Sequence, residues 1–339
     1  MTHTISVIIP IYNRLEVLPA VLNSILTQTI PVREVILIDD GSTEHTPADV
    51  AALLDKNAWG DRVRYIRQEN QGQSVALNAG ITLAKGEWFA FNGSDDLWLP
   101  QKLEWQLKAL EAHRDDCDLC FTDAWFMNNP HMKAGVFERS GRRLEGATGR
   151  VDDPVSVVVG AHPVWVQTVV AKAETVRAAG GFDPHLRYSE DHDFVFRMAL
   201  RTKFCYVGMP MVLIDRAPAD LRHGGESKKW HDVEFRLRMD QYRFEKQLRL
   251  SDDKPDDVRK RIRANLRDAH SHWATCYLRS RDFQQAKKEI RTAATYSLSA
   301  GVASKAVLLH LMPRIARKLF LAREQSGPPR YDRTSWRAV

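Results

Sequence analysis

The sequence predicts an α/β fold: a single mixed, mostly parallel sheet flanked by helices, with an α-helical appendage at the C-terminal end. Three observations point there. Short β-branched runs alternate with amphipathic helical stretches over the first part of the chain, the pattern of strand–helix–strand units. Acidic clusters stand directly after two of the predicted strands. Beyond residue 255 the pattern is helical only.

Taken in order, residues 5–9 (ISVII) read as a strand buried on both faces and ended by Pro10. Residues 14–27 place Leu15, Leu18, Leu22 and Ile25 at helical spacing. Residues 35–38 form a second strand, stopped by Asp39-Asp40-Gly41-Ser42. Thr46-Pro47 puts an N-cap before a proline at the first helical position. Residues 63–66 form a third strand, 73–84 a helix and 88–91 a fourth strand, which runs straight into residues 92–96. A helix from Pro100 aligns Leu103, Leu107 and Leu110. Residues 118–122 and 164–170 are strand-like, and 127–162 read as loops. Residues 173–179 form a short helix stopped by Gly180-Gly181, and 182–200 open another. Residues 252–255 read as a linker. After it, Ile262, Leu266, Ala269, Trp273 and Tyr277 make one apolar stripe and Phe283, Ala286 and Ile290 a second, with no repeat at a fixed period. The expected domains are 1–227, in halves 1–99 and 100–227, then helical 228–325 and a disordered tail, 326–339.

Apolar residues make up 44% and charged residues 27%, which excludes general disorder. The net charge is +6, and cations gather late in the chain, as in Arg259, Lys260, Arg261, Arg263 and Arg314, Arg317, Lys318. Such a run fits an anionic surface or a solvated helix face. Peripheral contact with an anionic membrane is the expectation drawn from it, and nucleic acid is not expected as a partner. The four cysteines are too few for a disulfide scaffold. Cys117 and Cys120 lie in an apolar run with no second pair, so they read as core thiols in a reducing compartment. No run approaches the ~20 apolar residues of a membrane span. A cytoplasmic protein, peripheral on the inner face of the membrane, is expected.

In doubly wound sheets ligands bind outside the carboxyl ends of the strands. Asp39-Asp40 and Asp95-Asp96 both follow strands, so they face a crevice on that edge. Carboxylates there suit a divalent cation. The segments SVIIPIYNR (6–14), VILIDDGST (35–43), NQGQSVALNAGI (70–81), FNGSDDLWLPQKLE (91–104), GGFDP (180–184) and EDHDFVFRMA (190–199) occur in this order. Together they resemble family 2 glycosyltransferases of the A-type glycosyltransferase fold, over residues 5–227. The resemblance implies an inverting enzyme that moves a sugar from a nucleoside-diphosphate sugar, UDP-sugar favoured, to a glycan, lipid-linked or protein acceptor. It implies a place in cell-surface polysaccharide or glycoconjugate synthesis.

Residue by residue, the resemblance implies that Pro10, Tyr12 and Asn13 line the nucleotide pocket and that Asp39 accepts from the base. It places Gln73 and Asn78 beside ribose and diphosphate, and Ser94 beside the metal. Asp95 would hold Mn2+ or Mg2+, with His223 reaching metal or diphosphate from a loop. Asp191 would be the general base, with Glu190 its neighbour. Asp193 reads as a structural cap. Trp98 and Trp165 read as core or as sugar-stacking platforms.

One position departs from the pattern. Gly93 stands where the family has the first acid of its Asp-x-Asp-Asp motif. A catalytically silent nucleotide- or sugar-binding module is therefore the alternative. Nucleotidyltransferase and dehydrogenase readings fail because no GxGTRxxP or GxGxxG loop follows the first strand.

Overall fold

The computed structural model describes residues 3–127, 134–141, 144–159, 162–215 and 232–326. They fall into two compact units, 3–215 and 232–326.

The first unit opens with β1 (Ile5–Ile11), α1 (Leu18–Leu26), β2 (Glu34–Asp40), α2 (Pro47–Lys56), β3 (Val63–Gln68), α3 (Gln73–Leu83) and β4 (Trp88–Phe91). All seven residues of β2 are buried, because the strand lies between β1 and β3 in a sheet covered by helices. The start of α2 is as the sequence predicts. Thr46 accepts from the Asp49 N–H while the Asp49 carboxylate accepts from Thr46, and Pro47 follows the cap.

The unit continues with β5 (Leu97–Trp98), α4 (Lys102–Ala112), β6 (Cys117–Met127), α5 (Val136–Arg139), β7 (Thr148–Val151), α6 (Pro154–Val159), β8 (Val169–Lys172), α7 (Ala173–Ala178), α8 (Glu190–Ala199) and β9 (Lys203–Asp215). The sheet order is β3-β2-β1-β4-β8-β6-β9-β5, with β7 also on β9. The ladders β3-β2-β1-β4 and β6-β9 are parallel and long; those of β5, β7 and β8 are antiparallel and short. A mixed, mostly parallel sheet results.

Two expectations are corrected. The stretch 127–162 is not all loop, since α5, β7 and α6 lie in its described parts. The strand expected over 164–170 begins only at Val169, because residues 166–168 form a turn of 3₁₀ helix and the ladders to β4 and β6 start there. All four cysteines are free thiols, and Cys117, Cys120 and Cys205 are buried.

Lys102 is fully buried at the start of α4. Its ammonium donates to Gln106 Oε1 at 2.7 Å and lies 4.0 Å from the centre of the Trp98 ring. Trp98 is thus a core residue, 3% exposed. Burial pushes the Lys102 amine down to about 7. Between pH 7 and its unfolded value near 10.5 the unfolded chain holds more protons, so stability rises with pH across that window. The span corresponds to something on the order of 4 kcal/mol. Lys102→Met is expected to be more stable than wild type in urea at pH 7, and that advantage is expected to shrink by pH 9.5. Parallel urea midpoints at both pH values would contradict the burial argument.

The second unit is helical: α9 (Val233–Leu250), α10 (Asp256–Arg279), α11 (Phe283–Tyr296), α12 (Ala300–Leu311) and α13 (Pro313–Ser326). The helices begin well before residue 252, and residues 251–255 are the turn between α9 and α10. Ala274 and Leu278 of α10 pack with Ala286, Ile290 and Ala293 of α11.

Candidate active site

Strands β3, β2, β1 and β4 run parallel, so their carboxyl ends open onto one edge. The turn after β1 carries Asn13, which is 7% exposed and left-handed at φ 53°. Its side chain accepts from the N–H groups of Thr43 (2.7 Å) and Glu44 (3.1 Å), and its own N–H donates to Ser42 Oγ at 3.0 Å. Asn13 therefore knits the first edge loop to the second. Pro10 and Tyr12 are half-buried beside it.

Asp39 is wholly buried at the end of β2. One carboxylate oxygen accepts from the Ser42 N–H at 2.8 Å; the other accepts from the Tyr65 hydroxyl at 2.6 Å. Arg67 lies 3.5 Å and His45 3.6 Å from that second oxygen. Burial raises the Asp39 carboxyl, but the Ser42 and Tyr65 hydrogen bonds outweigh it and hold the group below its ordinary range. Burial, then the bond to Asp39, pushes the Tyr65 phenol up to about 12, so it stays a donor. Both Asp39 oxygens are thus already engaged, one by the Ser42 N–H and the other by Tyr65. Asp40 is also buried, accepting from Gln68 Nε2 (2.7 Å) and from the N–H groups of Gln71 (2.9 Å) and Gly72 (2.8 Å). It shapes the loop that leads into α3, whose first residue is the half-buried Gln73.

Asn78 is placed differently from expectation. Its amide donates to the Phe182 carbonyl and accepts from the Phe182 N–H, both at 2.8 Å. Both amide atoms thus tie α3 to the segment before α8. Gly181 is required there: it is left-handed at φ 62°, and a Cβ would stand 2.4 Å from Asn78 Oδ1.

The tie matters because it sets α8. Phe182 stacks on Phe194 at 4.4 Å, and both meet the edge of Phe91, the last residue of β4, at 5.4 and 5.6 Å. Phe194 is one turn beyond Asp191, so the start of α8, with Glu190 and Asp191, is held at the end of β4. The Asp191 carboxylate accepts from the His192 N–H at 2.8 Å and keeps 24% of its side-chain surface exposed. The His192 ring stacks on His162 at 4.0 Å. Asp193 faces the other way: fully buried, it accepts from Arg197 Nε at 2.8 Å, and the Arg197 Nη2 lies 2.8 Å from the same carboxylate as an ion pair. It is an ion-pair anchor rather than a helix cap.

After β4, Ser94 and Asp95 are partly exposed, while Asp96 is 3% exposed and accepts from the Asp215 N–H at 3.0 Å. Asp95 Oδ2 lies 4.0 Å from the Arg14 guanidinium. No group of three or more metal-ligating side chains is present among the described residues. His223 lies outside them. Asp95 still suits a hard cation, since Mg2+ and its like are commonly held by one or two carboxylates plus substrate phosphates and water.

A Cβ at Gly93 would stand 2.5 Å from Asp96 Oδ2 and 3.2 Å from Asp95 Oδ1. The space of the missing acid is taken by Asp96. Gly93→Asp is therefore expected to weaken donor binding by about tenfold, from overpacking and added like charge. Calorimetric titration with a nucleotide-sugar checks this; tighter binding would reverse the argument.

Sequence reasoning passed over Arg14, His45, Tyr65 and Arg67. The alternation of Tyr65 and Arg67 on β3 was the available signal, since residues two apart share a face. Trp165 meets the edge of Phe126 at 5.5 Å and is packed rather than open.

The α/β unit has the A-type glycosyltransferase fold, the fold of the solved structures it is similar to. The structure of S. aureus TarS 1-349 in complex with UDP-GlcNAc is similar at TM-score 0.65 and 17% identity, covering 95% of this chain and 91% of that one. The mannosyltransferase PcManGT from Pyrobaculum calidifontis, in complex with GDP-Man and Mn2+, is similar at TM-score 0.55 and 19% identity, covering 95% and 86%. An uncharacterized glycosyltransferase of Rickettsia typhi is 29% identical over 213 residues, 62% of this chain and 63% of that protein. The chain thus spans less than two thirds of that curated relative. Residues 6–166, just under half of the chain, match the family model for glycosyl transferase family 2.

Proposed function

We propose that the chain transfers a sugar from a nucleoside-diphosphate sugar, UDP-sugar by preference, to an acceptor hydroxyl with inversion. The observation that carries this reading is the convergence on one sheet edge of the β1, β2 and β4 loops with the start of α8. Tyr12, Asp39 with Tyr65, and Gln73 form the nucleotide end, and Asp95 with Arg14 the diphosphate end. Asp191 stands across from them as the base.

Asp191 takes the proton of the attacking acceptor hydroxyl. The new bond forms at the anomeric carbon as the bond to the diphosphate breaks on the opposite face, which inverts that centre. Arg14 offsets charge on the leaving diphosphate, and Glu190 supports the orientation of Asp191. Asp95 would hold Mn2+ or Mg2+, which would supply Lewis-acid neutralisation of the leaving diphosphate. The Mn2+ and UDP-GlcNAc of the two similar structures support the metal and the donor class. A role in polysaccharide or glycoconjugate synthesis follows from the family reading.

Release of nucleoside diphosphate from a panel of nucleotide-sugars, with and without manganese, tests the proposal. Wild type is expected to release it from one donor in a metal-dependent way. Asp95→Ala is expected to lose about 100-fold or more. Donor binding with no release, under any acceptor tried, would favour the silent-module reading.

A further inference from the structure

The outer face of α12 and α13 carries large apolar side chains in the open. Val307 is 57% exposed, Leu311 74%, Met312 52%, Ile315 48% and Leu319 51%. Val307 and Leu311 lie four residues apart on α12 and Ile315 and Leu319 four apart on α13, so each helix shows an apolar row, with Met312 at the break between them. The helices do not need this face for their own core. Val302 and Leu309 of α12 and Ala316 of α13 point inward, 4%, 0% and 0% exposed, against Leu278, Ile290 and Ala293. Single exposed leucines are ordinary, but five large apolar side chains exposed along two successive helices mark a surface that something covers.

The charge around the stripe says what. No Asp or Glu occurs between Glu289 and Glu324, a stretch that holds Arg291, Lys305, Arg314, Arg317, Lys318 and Arg323. Three of these cations serve the helical unit itself. Arg291 meets His310 at 2.8 Å, Lys305 donates to Ser271 Oγ at 2.7 Å, and Arg317 donates to the Leu278 carbonyl at 3.0 Å. Arg317 is therefore a tie within the unit. Arg314 and Lys318 are exposed, and each directly precedes a stripe residue, Ile315 and Leu319. On a helix that spacing sets two cations along the edge of the apolar stripe.

We propose that the outer face of α12–α13 docks on an anionic lipid surface, with the apolar stripe entering the headgroup boundary and Arg314 and Lys318 meeting lipid phosphates. An apolar stripe edged by cations in an acid-free segment is the arrangement that lies in a bilayer interface. A soluble polyanion would use the cations but leave the stripe in water. A second copy would bring the same cations against each other. This inference is independent of the transfer reaction at the sheet edge.

Flotation of the full chain with vesicles tests it, using phosphatidylcholine alone and phosphatidylcholine mixed with phosphatidylglycerol. Binding is expected on the anionic vesicles only. Arg314→Gln with Lys318→Gln is expected to weaken it about 30-fold, from roughly one unit of surface attraction per cation. Ile315→Ser with Leu319→Ser is expected to weaken it at least as much, with circular dichroism unchanged because all four side chains are exposed. Equal binding to neutral vesicles, no binding to either, or binding that survives the serine pair would each overturn the proposal. So would a dimer in sedimentation that the serine pair dissolves without any lipid binding.

Discussion

Asp191→Asn is expected to lower turnover by about 10²–10⁴-fold while donor affinity and melting temperature hold, the result that follows from the proposed base role. The range is what a positioned general base contributes. The amide keeps the shape of the carboxylate but cannot take the acceptor proton. Affinity holds because the base acts on the acceptor rather than on the nucleotide. Stability is expected to hold because the contact of Asp191 is local, a bond from the next residue's N–H, and the side chain is partly exposed. Steady-state release of nucleoside diphosphate, calorimetry and a thermal melt read the three quantities apart. Turnover near the wild-type rate would remove Asp191 as the base. A fall in donor affinity of the same size would move it to the nucleotide end.

Two residues further on, removal of a carboxylate is expected to have the opposite result. Asp193→Ala is expected to cost about 3–5 kcal/mol, because it leaves the Arg197 charge buried without its carboxylate. For a unit of this size that corresponds to a drop of roughly 10 °C or more in melting temperature. Arg197 also donates to the Ala179 carbonyl, so the pair pins α8 to the end of α7. Asp193→Leu with Arg197→Met removes both charges together and is expected to be the milder change. If the double variant were as unstable as the single, the loss would lie in the Ala179 contact and not in the orphaned charge. Turnover per folded molecule is expected to move little in either.

The contrast between these two acids shows where sequence reading stops. EDHD sits in the first turn of a helix, and acids there are favoured by the helix dipole whatever else they do. Which acid opens onto the site and which is buried depends on the angle at which α8 lies on β4. That angle is set by Phe182, Phe194 and Phe91 together. The resemblance places Asn78 beside the ribose, whereas the hydrogen-bond partner it meets in the fold, Phe182, is 104 residues away. Asp39 was legible as an acid after a buried strand; its hold on Tyr65, Arg67 and His45 needed β3 laid beside β2.

Some of this protein is determined locally. The buried runs of β1 and β2, the N-cap and proline that start α2 and the acids after β2 and β4 follow from residue types at short spacings, which is why they could be read directly. The longest strand could not. In β9, Gly208 and Pro210 interrupt a run that would otherwise suggest a strand, and such residues normally argue against one. Tertiary pairing resolves it: β9 lies parallel to β6 with its register shifted at Asp123, so the irregular residues fall where the ladder is already broken. Local spacing decided which residues form strands and helices and which edge carries acids. Only packing between distant segments decided which acid faces the site, because burial and hydrogen-bond partners are properties of the assembled sheet.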